Sequence, residues 1–220
     1  MIIRAENISK SFYLGDNEIS VLKNISFSVN QGEKVAILGP SGSGKSTLLN
    51  VLSGLSPCDR GKIYFDDIEM TKMKSSELAA LRLNNFGFVF QSYHLISTLT
   101  VLDNILVPLL AKKERIDMSK IYEICGKLNL SHRLNHYPYQ LSGGEMQRAA
   151  IARAIVGMPK IIFSDEATGN LDETNSHNVM KLMNHCCEEF KIALVFVTHD
   201  ESLIRYADTV KRFTSDKKLL

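Results

Sequence analysis

Val35-Ala-Ile-Leu38, running straight into Gly39-Pro40-Ser41-Gly42-Ser43-Gly44-Lys45-Ser46-Thr47, is the stretch that decides the fold. Four apolar residues in a row read as a short buried parallel strand. The nine that follow match G-x-x-x-x-G-K-[ST] in full, a loop whose glycines let backbone N–H groups turn inward on phosphate with no Cβ in the way. In that pattern Lys45 reaches the β- and γ-phosphates, and the Ser46 hydroxyl ligates Mg²⁺. Leu48, Leu49, Val51, Leu52 and Leu55 then recur at helical spacing. Strand, glycine loop and helix, in that order, is the context the motif requires.

Working outward, the first thirty residues alternate as strands do. Ile25, Phe27 and Val29 face one side, Ser26 and Ser28 the other, and residues 30–33 turn the chain. Further strands are expected at 63–65, 86–90, 161–163 and 193–197. Helices are expected at 75–83, from Ser142 to about Ile155, and at 175–190. Residues 101–134 read as mainly helical, with Pro108 and Gly126 as interruptions. Strands alternating with helices predict an α/β core with a parallel sheet. Residues 92–154 look like a helical insertion that returns to the core at Ile161.

Composition narrows the class. The 220 residues can bury a sizeable core at the upper end of single-domain length, and 45% hydrophobic with 23% charged residues is ordinary for a soluble globular chain. A net charge of +2 and the lack of a basic run give no reason to expect nucleic acid. The N-terminus carries Arg4 and Glu6 too early for a signal peptide. The apolar stretches at 105–110 and 192–197 fall far below the ~18 residues that span a bilayer, so a membrane would be served through a partner. Cys58, Cys125, Cys186 and Cys187 form no C-x-x-C pair and read as reduced structural thiols in the cytoplasm. His185 beside Cys186 and Cys187 fits no zinc spacing, and Lys217-Lys218 reads as a solvated end.

Polar residues at the ends of expected strands carry the chemistry. Ile161-Ile-Phe-Ser164-Asp165-Glu166 is an apolar strand closing on two carboxylates. Asp165 is placed to hold Mg²⁺, directly or through water, and Glu166 to orient and deprotonate an attacking water. His199 follows 195–198 and is expected near the γ-phosphate, holding that water and Glu166. Gln91 follows 86–90 and is expected at Mg²⁺ or the water. A second phosphate device is Leu141-Ser142-Gly143-Gly144-Glu145. Ser142 caps a helix with Glu145 three residues on, a capping-box pattern. The Ser142 hydroxyl, the Gly143 and Gly144 N–H groups and the helix dipole could bind an anion.

This set resembles an ATP-binding cassette (ABC) ATPase across essentially the whole chain. Gly39 to Thr47 is similar to the Walker A motif, residues 161–166 to Walker B, Gln91 to the Q-loop and 141–145 to the signature. Gly169-Asn-Leu-Asp172 is similar to the D-loop, and His199 to the switch histidine. The resemblance implies a P-loop NTPase (RecA-like) core of about 1–91 and 155–220, with an N-terminal antiparallel β subdomain and an inserted helical subdomain of about 92–154. All of this forms one nucleotide-binding domain, 1–220. It implies ATP and Mg²⁺ as cofactors, with Asp172 adding to the nucleotide site. Its expected partners are a second copy packed head to tail, so that each ATP lies between one Walker A and the other chain's signature, and an integral membrane permease. The chain would then sit peripherally on the cytoplasmic face of a membrane.

Residues 88–95 and 165–172 look like the macrolide-export and lipoprotein-release group, with peptide-antibiotic detoxification ATPases close to it. Ala167 stands where the family usually has proline. The aromatic that stacks on adenine aligns best with Phe12, with Tyr13 beside it as the alternative. The chain ends soon after His199, so no regulatory domain is expected to follow. Tyr93, Leu95 and Leu99 are candidates for the docking surface, or pack within the lobe. The rival reading is a soluble ABC ATPase acting in assembly or remodelling. A kinase or GTPase would not explain the signature.

Overall fold

The computed structural model describes residues 1–113, 115–214 and 219; Lys217 and Lys218 lie outside them. Two strands open the chain, β1 (Ile3–Leu14) and β2 (Asn17–Val29), joined as an antiparallel pair. β3 (Lys34–Leu38) enters the glycine loop and α1 (Lys45–Leu52) leaves it. β4 (Arg60–Phe65) and the two-residue β5 (Ile68–Glu69) add to the first pair, giving an antiparallel sheet in the order β2-β1-β4-β5.

α2 (Ser75–Asn85) leads into β6 (Phe86–Phe90). The insertion carries α3 (Val101–Lys112), α4 (Met118–Lys127) and α5 (Gly143–Val156). β7 (Ile161–Asp165), α6 (Glu173–Glu189), β8 (Ala193–Thr198) and β9 (Thr209–Arg212) complete the chain. The second sheet is parallel throughout, in the order β6-β7-β8-β3-β9. The α/β fold with its antiparallel sheet and inserted helices is thus as expected.

Alternation along the parallel strands divides the core in two. Val35, Ile37, Ile161, Phe163, Val195 and Val197 face the cluster shared with the antiparallel sheet and α1. Ala36, Ile162, Leu194 and Phe196 face the cluster shared with α5 and α6. Phe86 seals the first cluster, meeting Phe65 and Phe163 edge-on at 5.1 and 5.3 Å.

Several local expectations need correction. The stretch from 101 to 134 forms two helices, but neither expected interruption divides them: Gly126 lies inside α4. Pro108 sits inside α3 without ending it, whereas Asp117 caps a new helix by accepting from the Ser119 N–H. Leu55 lies beyond the end of α1 and is half exposed. β9 carries no continuous apolar run and pairs only with β3 at the sheet edge.

Candidate functional site

The parallel register brings the strand ends together. Phe90 pairs with Asp165, Asp165 with Val197, and Leu38 with Thr198. Gln91, Glu166, His199 and Gly39 therefore emerge side by side at the carboxyl edge of the sheet, where open α/β sheets bind ligands. A cavity of about 600 Å³ opens there. Ser41, Gly42, Gly44, Lys45, Ser46 and Thr47 line it together with Phe12, Gln91, Asp165 and Glu166.

The glycine loop is held by close packing. Gly44 enters α1 at φ 108°, and a Cβ there would stand 3.0 Å from Val21 Cγ1. Gly39 packs against Phe213, and Pro40 O accepts from the Ser43 N–H. Ser43 Oγ is buried with no partner among the described residues. A buried hydroxyl lacking a hydrogen bond is costly, and an oxygen acceptor entering the expected phosphate loop would satisfy it. Lys45 is 4% exposed; its Nζ donates to Gly39 O and Pro40 O, each at 2.9 Å, and stands 3.6 Å from Glu166 Oε1.

Ser46 Oγ donates to Asp165 Oδ1 at 2.8 Å, joining the two residues expected at Mg²⁺. Burial pushes the Asp165 carboxyl up, and the neighbouring Glu166 adds to this against the opposing pull of Ser46 and Lys45. A hydroxyl and a carboxylate are the hard oxygen donors that Mg²⁺ takes, so the pair fits that ion. Glu166 is held at φ 44°, a left-handed conformation, while its N–H donates to Val197 O at 3.3 Å. Its other carboxylate oxygen lies 3.6 Å from His199 Nδ1. His199 is not part of the 600 Å³ cavity. With Glu166, Gly169 and Leu171 it lines an adjacent one of about 370 Å³.

Gln91 lines the main cavity, but its side-chain Nε2 donates to Asn170 Oδ1 at 3.2 Å. Phe12 lines that cavity too and is half exposed; Tyr13 does not line it and is 73% exposed. Asp172 caps α6, accepting from the Asn175 N–H at 2.9 Å.

The cap expected at 141–145 is built but stands apart from the glycine loop. Ser142 Oγ caps α5 by accepting from the Glu145 N–H, while Glu145 Oε2 accepts from the Ser142 N–H and hydroxyl, each at 2.8 Å. Such caps stabilise a helix by about 1 kcal/mol. Arg133 Nε donates to Glu145 Oε1 at 2.6 Å. Burial opposes ionisation of Glu145, yet Ser142 and Arg133 together hold its pKa down to about 2. None of residues 141–145 lines the cavity at the glycine loop.

Comparison with known proteins matches this layout. The family model described as ABC transporter matches residues 22–169. The chain belongs to the ABC transporter family. The lipoprotein-releasing system ATP-binding protein LolD of Francisella tularensis subsp. holarctica (strain OSU18) is 41% identical over 217 residues, covering 96% of this chain and 93% of LolD. The ABC transporter ATP-binding protein MJ1508 of Methanocaldococcus jannaschii is 42% identical over 214 residues, covering 95% and 94%. Among solved structures, the dimeric post-hydrolysis ATP-binding cassette MJ0796 bound to ADP and Pi superposes with a TM-score of 0.90 at 36% identity, covering 99% of this chain and 96% of that one. This ABC chain is therefore an ATP-binding cassette and an ATPase. The Asn170 contact with Gln91 was not foreseen from sequence; only the Gly169–Asp172 match to the D-loop pointed near it.

Proposed function

We propose that this cassette hydrolyses ATP as a head-to-tail homodimer and thereby drives a separate membrane permease. The observation that carries the dimer is the separation of the two phosphate devices: the cavity holding the glycine loop, Asp165 and Glu166 includes no signature residue. A second copy would supply Ser142, Gly143 and Gly144 across it. The dimeric MJ0796 cassettes support a pairing of two such chains.

In the site, the N–H groups of residues 41–47 and the Ser43 hydroxyl would donate to phosphate oxygens, and Lys45 would exchange its carbonyl partners for the β- and γ-phosphates. Phe12 would take the adenine ring. Ser46, Asp165 and Gln91 would hold Mg²⁺, which when bound neutralises developing charge on the phosphates. Glu166, at the end of β7, would remove the proton from the attacking water, with His199 orienting the carboxylate from its far side.

Among the described residues no helix is long and apolar enough to cross a membrane. The cassette would act peripherally, on the cytoplasmic face. A groove of about 400 Å³ lined by Leu83, Phe88, Phe90, His94, Val107 and Pro108 supports docking of a permease segment. Tyr93, Leu95 and Leu99 do not line it: Tyr93 Oη lies where a Cβ on Gly143 would come within 3.1 Å, and Leu95 packs on the core. Phe90 and His94 line both the groove and the nucleotide cavity, so a segment seated in one presses on a wall of the other. Similarity to LolD favours a lipoprotein-release type of permease system.

The test is a mild-detergent pull-down of tagged Glu166→Gln protein with ATP from membranes of its host. Stoichiometric recovery of an integral membrane protein is expected. Recovery from the soluble fraction alone would leave a soluble remodelling ATPase.

A further inference from the structure

Gln91 and Asn170 exchange two hydrogen bonds across 79 residues of chain. Asn170 Nδ2 donates to the main-chain oxygen of Gln91 at 3.0 Å, and Gln91 Nε2 donates to Asn170 Oδ1 at 3.2 Å. This pairing fixes which way round both amides stand. A main-chain carbonyl can only accept, so the Asn170 atom facing it must be the NH₂ group. Asn170 is then left with its oxygen, which also only accepts, so the Gln91 atom facing it must be the NH₂ group in turn. The Gln91 Oε1 is thereby the free end of the side chain. Among the described residues it accepts no hydrogen bond, on the wall of a cavity shared with Ser46 and Asp165.

The orientation matters chemically. A cation of the Mg²⁺ class takes an amide oxygen as ligand and is repelled by an amide NH₂. A glutamine free to rotate by a half-turn about its last bond would offer the wrong atom for part of the time. Gly169 closes the arrangement. A Cβ at that position would lie 2.8 Å from Gln91 Nε2, so only a residue without a side chain leaves room for the amide in this orientation.

We infer that Asn170 is a positioning residue for the reaction: it clasps Gln91 so that the oxygen, not the nitrogen, of its amide is presented to the metal of bound Mg·ATP. This rests on the reading of Gln91 as a metal ligand proposed above. Asn170 itself does not line the nucleotide cavity. Because it is exposed, its replacement leaves the core intact.

The experiment compares the intact chain with Asn170→Ala, Gly169→Ala, Gln91→Ala and the Gln91→Ala/Asn170→Ala pair. One readout is the free Mg²⁺ concentration at half-maximal ATPase rate under saturating ATP. The second needs no turnover: Mn²⁺ bound in the presence of equimolar ATP, followed by loss of the six-line electron paramagnetic resonance spectrum of aqueous Mn²⁺. Loss of one orienting hydrogen bond predicts that Asn170→Ala raises the half-saturating metal concentration by about threefold to tenfold in both readouts. ATP affinity without metal should stay the same. Gly169→Ala, which pushes the same amide aside, should shift both readouts in the same direction. The pair should behave as Gln91→Ala alone. If Asn170→Ala keeps the metal dependence of the intact chain while Gln91→Ala loses it, the clasp is overturned and Gln91 remains a ligand. If Asn170→Ala adds its full factor on top of Gln91→Ala, it acts by another route and the inference is again overturned. If Gln91→Ala itself leaves metal dependence unmoved, the underlying reading of Gln91 fails and takes the clasp with it.

Discussion

Replacing Glu166 by Gln should tighten ATP binding while it stops hydrolysis. Glu166 lies 3.6 Å from Lys45 Nζ, which also donates to two loop carbonyls. Phosphate entering the loop must draw the ammonium away from these partners. Two unit charges at the 3.6 Å separation seen here attract by about 1 kcal/mol under water-like screening and by about 5 kcal/mol at an effective dielectric of 20. The Lys45 side chain is 4% exposed and that of Glu166 23%, so the screening falls between these limits. Only the part of the attraction surrendered to the incoming phosphate counts, a share of about 1–2 kcal/mol. The dissociation constant for ATP should therefore fall about fivefold to thirtyfold. Removing the carboxylate's repulsion of a γ-phosphate works in the same direction. Loss of a general base lowers turnover by about 10²–10⁴-fold. Equilibrium titration with a fluorescent ATP analogue, at protein concentrations that keep the chain monomeric, reads the first effect; phosphate release reads the second. An unchanged or weaker affinity would refute the competition between Glu166 and phosphate for Lys45. Full turnover in the variant would remove Glu166 as the base.

Phe12→Ala should weaken nucleotide binding by about 1–3 kcal/mol, the worth of one aromatic–base stack, whereas Tyr13→Ala should leave it unchanged; titration with ATP decides, and the reverse order would move the adenine to Tyr13. Ser142→Arg should abolish hydrolysis and leave ATP binding by the monomer intact, and equal loss of both would make the 141–145 turn a purely structural cap. Glu145, held at about 2 in place of the ordinary 4.5, contributes stability that is complete above pH 4.5 and is lost as pH falls toward 2. Denaturant unfolding across that window should show a steeper fall for the intact chain than for Glu145→Gln; parallel curves would mean that the Ser142 and Arg133 contacts do not persist in solution.

The parallel sheet was legible because its strands are buried on both faces. Apolar runs such as 35–38 and 161–163 leave little alternative, and each ends on a polar residue that the register then aligns with its neighbours. β9 was not legible for the converse reason. Thr209-Val-Lys-Arg212 is half exposed at an edge, and its strand state comes from pairing with β3 rather than from its own pattern. The break between α3 and α4 could have been read from Asp117 as an N-cap. Motif spacing pointed to Lys45, Ser46, Asp165 and Glu166, but it could not show their mutual contacts. The Lys45 contact with Glu166 and the Gln91–Asn170 exchange join residues far apart in sequence, and only the folded sheet brings them within reach.

The same folded arrangement ties the segment after Gln91 to the Ser142 cap. α5 has Ser142 at its N-terminus and Arg153 in its last turn, a rigid span of roughly 17 Å at 1.5 Å per residue. Arg153 donates to the main-chain oxygens of Tyr93 and His94, the latter through a short contact. Both residues are left-handed, at φ 58° and 48°, and they follow Gln91 almost at once. Such a conformation is costly for residues other than glycine and persists only where its surroundings impose it. Arg153 is one such constraint, beside the turn hydrogen bonds of Tyr93 and His94, and its own burial lowers its pKa, so the guanidinium is held in place at a cost to its hydration. With Gln91 as the metal ligand proposed above, a displacement of its main chain would pull on Arg153 and α5 through these two hydrogen bonds. Moving α5 carries Ser142 with it. In the head-to-tail pair proposed above, Ser142 would face the other chain's ATP, so occupancy of one site would be felt as a shift of the cap offered to the second.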